Sequence, residues 1–312
     1  MNTGLAGLGA WARSTGLVTT EAGEAHLEAI GLCRWASYVL PGCGAREQAL
    51  MAQWAAFVCL VDDAFDAHPS AQRHDAAGTL MPTLLGVLET ARPPTAHASP
   101  AVKALADLWR RTGQAASGAW RERFIARYTE FAEASVEEAQ VRESGTLLDL
   151  PAYLGIRHRS ITMLPLVEVS EQLCGSTLTD FWRGHEGVHR LRQAAVAAVA
   201  CGNDIASAEA EHALGQQNII SVIARIERCD RATAYDKAVA HLREQLRACR
   251  VAKAELDTQP GAASYATLLG NWVYGSLRWQ CETRRFGPTP NKAHLIRRLL
   301  KESETTWLEA PA

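Results

Sequence analysis

The sequence predicts an all-α fold, a single bundle of about ten to twelve helices. Three observations predict it. Ala, Leu, Glu and Arg dominate, and strand-like alternation is scarce. Within long segments, apolar residues recur at spacings of three and four. Turn residues cut the chain into pieces of helical length, and no linker is long or polar enough to divide the chain into separate domains. Residues 1–312 are therefore read as one domain, with 291–312 as a peripheral tail.

The elements follow in order. The N-terminus, MNTGLAGLGAWARSTGL, has no charged region leading into a long apolar run, so it does not read as a secretory signal. Pro41-Gly42 closes one segment. Met51–Val61 is among the most apolar stretches, as is Ala194–Gly202, and both are too short to span a bilayer. Pro69 bars the helix through Asp66 from running far. Thr90–Pro100 carries three prolines and reads as a surface loop. From Trp120 to Val141, the residues Phe124, Tyr128, Phe131, Ser135 and Ala139 form one buried stripe opposite Glu and Arg. Gly287-Pro288-Thr289-Pro290 ends a later helix.

Of the 312 residues, 47% are hydrophobic, enough for a sizeable core. The net charge is −2 and the sequence pI about 6.6. That balance offers no basic footprint for nucleic acid and no polybasic membrane anchor. A phosphate-bearing ligand must meet local cations. The eight cysteines include no C-x-x-C pair, which predicts neither a zinc site nor a disulfide framework. Free buried thiols in a reducing cytoplasm are expected instead.

In 51–66, MAQWAAFVCLVDDAFD, the stripe Met51, Ala55, Val58 continues into Asp62, and Asp66 lies one turn further. A stripe that begins apolar and ends in carboxylates points them toward the interior. Asp62, Asp63 and Asp66 repel one another near a helix C-terminus that is already negative. Clustered carboxylates of this kind are hard ligands suited to Mg²⁺. Taken alone, the trio fits a solvated acidic helix end equally well.

A second ladder lies in 194–214. Asn203, Ser207 and Glu211 are spaced by four and stack on one helix face, continuing from Val196 and Val199. An amide oxygen, a hydroxyl and a carboxylate carry one negative charge between them. They form a weak cage for a bare cation and a sensible one when a phosphate-bearing ligand supplies the remaining oxygens. A polar face with chance spacing is the alternative.

Together the two motifs carry a resemblance. Asp62-Asp63-Ala64-Phe65-Asp66 resembles the D-D-x-x-D motif of bacterial class I terpene synthases, and Asn203-Asp204-x-x-Ser207-x-x-x-Glu211 resembles their N-D-x-x-S-x-x-x-E motif. About 140 residues separate them, as that family's layout requires, and the likeness runs from near Trp11 past Phe286. The resemblance implies a class I terpenoid synthase bundle around a central apolar cavity. It implies a Mg²⁺-dependent cyclase that ionises a linear isoprenyl diphosphate, farnesyl diphosphate being commonest, and closes the cation into a terpene hydrocarbon or alcohol. Three Mg²⁺ ions would be held by Asp62, Asp63, Asp66, Asn203, Ser207 and Glu211. Cytoplasmic location and a homodimer are further implications.

The resemblance also says where the diphosphate-binding arginines belong. Arg157, in Tyr153–Ile161, matches the family's diphosphate-sensing arginine, with Arg159 in reserve. Arg285 matches the arginine of a C-terminal Arg-Tyr pair. Phe65 and Trp279 are the preferred aromatic faces for the cation, and Phe57, Ile161 and Trp272 are further pocket candidates. The chain departs from the family at Phe286, in the place of Tyr, at Ala210, in the place of a cation, and at Ile161-Thr162, in the place of a small residue. It is also short at its N-terminus. Two rivals stand beside this reading: a chain-elongating isoprenyl diphosphate synthase, and a non-catalytic, lipid-binding helical relative.

Overall fold

The computed structural model describes residues 3–66, 70–287 and 293–307. None of them lies in a strand, and the regular structure is fifteen helices. These are α1 Thr3–Thr15, α2 Glu21–Ile30, α3 Leu32–Val39, α4 Ala45–Asp66, α5 Ser70–Thr90, α6 Pro100–Gly113, α7 Gly118–Ser144 and α8 Leu150–Ser160. There follow α9 Met163–Cys174, α10 Asp180–Arg183, α11 Glu186–Ala213, α12 Ile219–Ile226, α13 Arg231–Asp257, α14 Ala263–Gln280 and α15 Ala293–Trp307. The expected ten to twelve was low because short helices are divided by single residues that periodicity does not register. Gly31, at φ +72°, caps α2 in the left-handed region and starts α3 at the next residue.

Local chemistry sets the helix ends. Ser99 caps α6 ahead of Pro100, Ser117 accepts from the Trp120 N–H at the start of α7, and Asp230 accepts from the Thr233 N–H at the start of α13. The loop expected between Thr90 and Pro100 is present. Helix α14 ends at Gln280, earlier than expected, because the chain already turns through Cys281–Phe286; residues 288–290 lie outside those described.

The chain forms two compact units. The first comprises Met1–Ala36, Gly42–Leu147 and Arg159–Gly175. Its core is aromatic: Trp109, Trp120 and Phe124 stack at centroid distances of 5.1–5.7 Å, and Trp54 of α4 meets Phe124 at 5.3 Å. Each such pair contributes about 0.5–1.5 kcal/mol beyond area burial. The polar edges are satisfied, with the Trp54 indole N–H donating to Thr112 Oγ1 at 2.8 Å and that of Trp120 to the Glu168 carbonyl at 2.9 Å. This network fixes α4, whose last turn carries the first acidic motif.

Cys43 and Cys174 are joined in a disulfide, with their Cα atoms 6.0 Å apart. This corrects the expectation that every thiol is free: 131 residues separate the pair, and spacing along a sequence does not reveal partners brought together by folding. The thiols of Cys201 and Cys249 are buried as expected.

The second unit comprises Ser37–Pro41, Leu148–His158 and Ser176–Ala312. Helix α11 packs against α12, α13 and α14, and every residue from Ala194 to Gly202 is buried. Gly202 makes the crossing with α14 possible, since a Cβ there would lie 2.2 Å from Leu277 Cδ2 and 2.6 Å from Gln280 Oε1. Gly275 plays the same part for Tyr38, whose backbone carbon would lie 2.8 Å from an added Cβ. Helix α15 buries Ile296, Leu299 and Leu300, so the chain from Ala293 to Leu300 is docked rather than peripheral. No described helix is long and apolar enough to cross a membrane.

Candidate active site

The second ladder stands on α11 as its spacing requires. Ser207 Oγ donates to the Asn203 carbonyl at 2.8 Å, which turns the hydroxyl along the helix. Asn203 and Glu211 are half-buried and Ser207 is buried. Two helices of the same unit face this ladder. From α8, Arg157 donates through Nε to Asp204 Oδ1 at 2.7 Å and through Nη2 to Asn203 Oδ1 at 2.6 Å. One turn earlier, the Tyr153 hydroxyl donates to Asp204 Oδ2 at 2.6 Å. At the start of α12, Asn218 Nδ2 donates to the Asp204 carbonyl at 2.9 Å and to Glu211 Oε2 at 2.5 Å.

Asn218 is held rigidly for this task. Its side-chain oxygen accepts from the Ile220 N–H at 2.9 Å, and the Ser221 hydroxyl accepts from the Asn218 backbone N–H at 3.0 Å, a capping box that begins α12. The electrostatics follow from enclosure. Burial, and then the Asp204 carboxylate, push the Glu211 carboxyl up to about 7 against the opposing pull of Arg157, Asn218 and Ser207. Burial, and then Asp204, also raise the Tyr153 phenol well above its ordinary value, so it stays a donor. Burial lowers the neighbouring His158, and the His241 imidazole lowers it further.

The first motif ends α4. Asp62 is exposed and Asp63 half-buried, its Oδ2 3.2 Å from His26 Nε2. The side chain of Asp66 lies outside the described residues. Along the stripe Met51 and Ala55 are buried, Val58 is half-buried and Asp62 is exposed, so enclosure ends before the carboxylates that the stripe was expected to turn inward.

The donor chemistry fits a hard divalent cation. Amide, hydroxyl and carboxylate oxygens at one-turn intervals match the ligands Mg²⁺ takes when phosphate oxygens complete its shell. Among the described residues no group of three His, Cys, Asp or Glu side chains gathers at one point, so the α11 site depends on Asn203 and Ser207 as well as Glu211.

Residues 53–248 match the sequence profile of the family described as terpene synthase family 2, C-terminal metal binding. The chain belongs to the terpene synthase family. Pristinol synthase of Streptomyces pristinaespiralis is 27% identical to this terpene synthase over 297 residues, covering 89% of this chain and 79% of that one. The (−)-β-caryophyllene synthase of Saccharothrix espanaensis, described as cyclizing (2E,6E)-farnesyl diphosphate, is 27% identical over 290 residues, 89% of this chain and 82% of its own. Among solved structures, linalool/nerolidol synthase from Streptomyces clavuligerus, in complex with 2-fluorogeranyl diphosphate, superposes with a TM-score of 0.82 at 21% identity, covering 89% of this chain and 97% of that one. That likeness establishes the fold, the all-helical class I terpene synthase architecture.

The remaining expected site residues of this terpene synthase take varied places. Arg159 pairs with Glu137 of α7 at 2.6 Å, inside the first unit, and shares no partner with Arg157 among these bonds. Arg285 is half-buried in the turn after α14, where its N–H donates to Thr283 Oγ1 at 3.1 Å. Phe286 meets Trp279 edge-on at 6.3 Å, so the ring in the place of a tyrosine is a packing partner. Trp272 and Trp279 are buried on α14, and Phe57 is buried beside Trp54 at 6.4 Å. Phe65 is half-buried in the last turn of α4. Ile161 is half-buried at the break between α8 and α9, where Thr162 takes the left-handed conformation at φ +61°.

Sequence reasoning missed Asp204, Asn218 and the Tyr153 hydroxyl. Asp204 sits one position off the ladder's face and looks like filler within the motif. Asn218 carried a signal, since Asn-Ile-Ile-Ser is a capping signature just before an apolar run.

Proposed function

We propose that this terpene synthase is a Mg²⁺-dependent cyclase acting on a linear isoprenyl diphosphate, with farnesyl diphosphate as the preferred chain. The observation that carries the reading is the α11 ladder of Asn203, Ser207 and Glu211 with the Arg157 guanidinium set directly upon it. The farnesyl chain length is supported by the caryophyllene synthase relative.

Asn203, Ser207 and Glu211 would hold Mg²⁺, as would Asp62, Asp63 and Asp66 on α4, with three ions in all. When bound, Mg²⁺ supplies Lewis acidity toward the departing diphosphate. The chain's own residues do the rest. Arg157 and Arg285 offer planar guanidinium forks that match phosphate oxygens two at a time. The fixed network around Asp204 keeps Arg157 oriented, so no reorganisation is needed as negative charge grows on the leaving oxygen. Buried Trp279 and half-buried Phe65 are the ring faces proposed for the allylic cation, and buried apolar side chains keep water from it.

Incubation with Mg²⁺ and geranyl, farnesyl or geranylgeranyl diphosphate, each with and without isopentenyl diphosphate, tests the reading by gas chromatography and mass spectrometry. A cyclic terpene from the C15 substrate alone is expected. Asp62→Ala and Glu211→Ala are expected to keep the fold and lose most turnover; full yield from either contradicts the metal assignment. A longer diphosphate formed only with isopentenyl diphosphate would replace the reading with chain elongation.

A further inference from the structure

We infer that Asn218 is a positioning residue, whose side-chain amide clamps Glu211 at the end of α11 in the pose from which its carboxylate can hold a cation. This deepens the proposed metal role of Asn203, Ser207 and Glu211, and rests on it.

Glu211 stands in a poor place for a metal ligand. It lies in the last turn of α11, which ends at Ala213. Helix ends fray, and the macrodipole there is already negative. Two devices offset this. The first is in the backbone. The chain reverses at Gly215, in the left-handed region at φ +67°. The Gly215 N–H donates to the His212 carbonyl at 3.0 Å and the Gln216 N–H to the Glu211 carbonyl at 2.9 Å. That pair of bonds is a Schellman closure, and it secures the Glu211 backbone.

The second device is Asn218, which the reversal brings back alongside the helix just left. It is 2% exposed. Its Nδ2 spends both protons on α11, one on the Asp204 carbonyl and one on Glu211 Oε2. Its Oδ1 accepts from the Ile220 N–H, and the Ser221 hydroxyl bonds both its backbone N–H and its carbonyl. The amide therefore has one orientation. Turned over, it would set Oδ1 against the Glu211 carboxylate and Nδ2 against the Ile220 N–H, two clashes of like with like. Neutrality also matters. A lysine or arginine could hold Glu211 as firmly, but its charge would repel the cation that the carboxylate is meant to receive. An amide fixes the oxygen and leaves the negative charge for the metal, as the outer partners of metal ligands do.

Calorimetric titration of Mg²⁺ into the full-length protein in inorganic diphosphate, with thermal melts in the absence of both, tests the clamp. Asn218→Ser keeps an N-cap oxygen for α12 but is too short to reach Glu211. Ser221→Ala removes the other half of the capping box and leaves the Asn218 amide in place. Both variants are expected to melt somewhat below wild type. Only Asn218→Ser is expected to lose Mg²⁺ affinity, by about tenfold to a hundredfold. Asn218→Thr, another capping residue of short reach, gives the same reading if the serine variant does not fold. Wild-type Mg²⁺ affinity in the Asn218 variants, or an equal loss in Ser221→Ala, would overturn the clamp; the second result would reduce Asn218 to a helix cap. Glu211→Gln keeps the two failures apart. If it weakens Mg²⁺ binding while the Asn218 variants match wild type, the metal ligand stands and the clamp falls; if it binds Mg²⁺ like wild type, both fall.

Discussion

Replacing Gly202 by alanine is expected to destabilise this protein, although the same change inside most helices stabilises. Alanine's helix propensity favours it by roughly 1 kcal/mol over glycine. Against that stands the space at the α11–α14 crossing. The new methyl would lie 2.2 Å from Leu277 Cδ2 and 2.6 Å from Gln280 Oε1, where ordinary contact is 3.4–4 Å. Neither neighbour gives way readily: Leu277 is 0% and Gln280 1% exposed, and Gln280 Nε2 is bonded to the Val199 carbonyl at 3.1 Å. Overpacking of this kind costs about 1–3 kcal/mol, and a strained Gln280 bond costs about 1 more. The net loss is roughly 1–3 kcal/mol, a Tm drop of about 2–6 °C for a domain of this size. Because Gly202 precedes Asn203, the shifted backbone is also expected to weaken Mg²⁺ binding in the presence of diphosphate at temperatures where the variant is folded. Urea denaturation and thermal melts measure the first effect, calorimetry the second. A variant as stable as wild type, or more so, would refute the close crossing and with it the placement of Asn203.

Three further outcomes are expected. The Glu211 carboxyl, raised to about 7 from an ordinary 4.5, stays protonated in the folded protein where the unfolded chain has already ionised. This contribution to stability is full below about 4.5 and is lost as pH rises through about 7, by up to roughly 3 kcal/mol; urea denaturation at pH 5.5 and 8 without metal should show a steeper fall for wild type than for Glu211→Gln. Cys43→Ser removes a crosslink spanning 131 residues. The chain-entropy relation gives an upper bound of about 5 kcal/mol, so oxidised wild type should outlast the variant in melts while reduced wild type matches it; eight titratable thiols in the denatured, unreduced protein would refute the pairing. Thr162→Gly should stay within about 1 kcal/mol of wild type despite deleting a buried side chain, because it relieves a β-branched residue of a left-handed conformation costing about 1–2 kcal/mol; a loss of several kcal/mol in chemical denaturation would show that packing outweighs strain there.

Much of the ladder was legible before any coordinates, because helical periodicity alone stacks residues spaced by four. The place of Arg157 was legible only through resemblance, since a guanidinium 46 residues upstream has no local tie to Asn203. Asp204 was illegible for a physical reason. Its role depends on what packs against its side of α11, and no pattern within α11 encodes α8. The disulfide was illegible in the same way: Cys43 precedes α4 and Cys174 ends α9, and only the docking of those helices brings the sulfurs together. Asp62 shows the opposite error. Periodicity aligned it with Met51 and Val58, but a stripe is enclosed only as far as neighbours cover it, and the cover already thins at the half-buried Val58 and leaves Asp62 exposed.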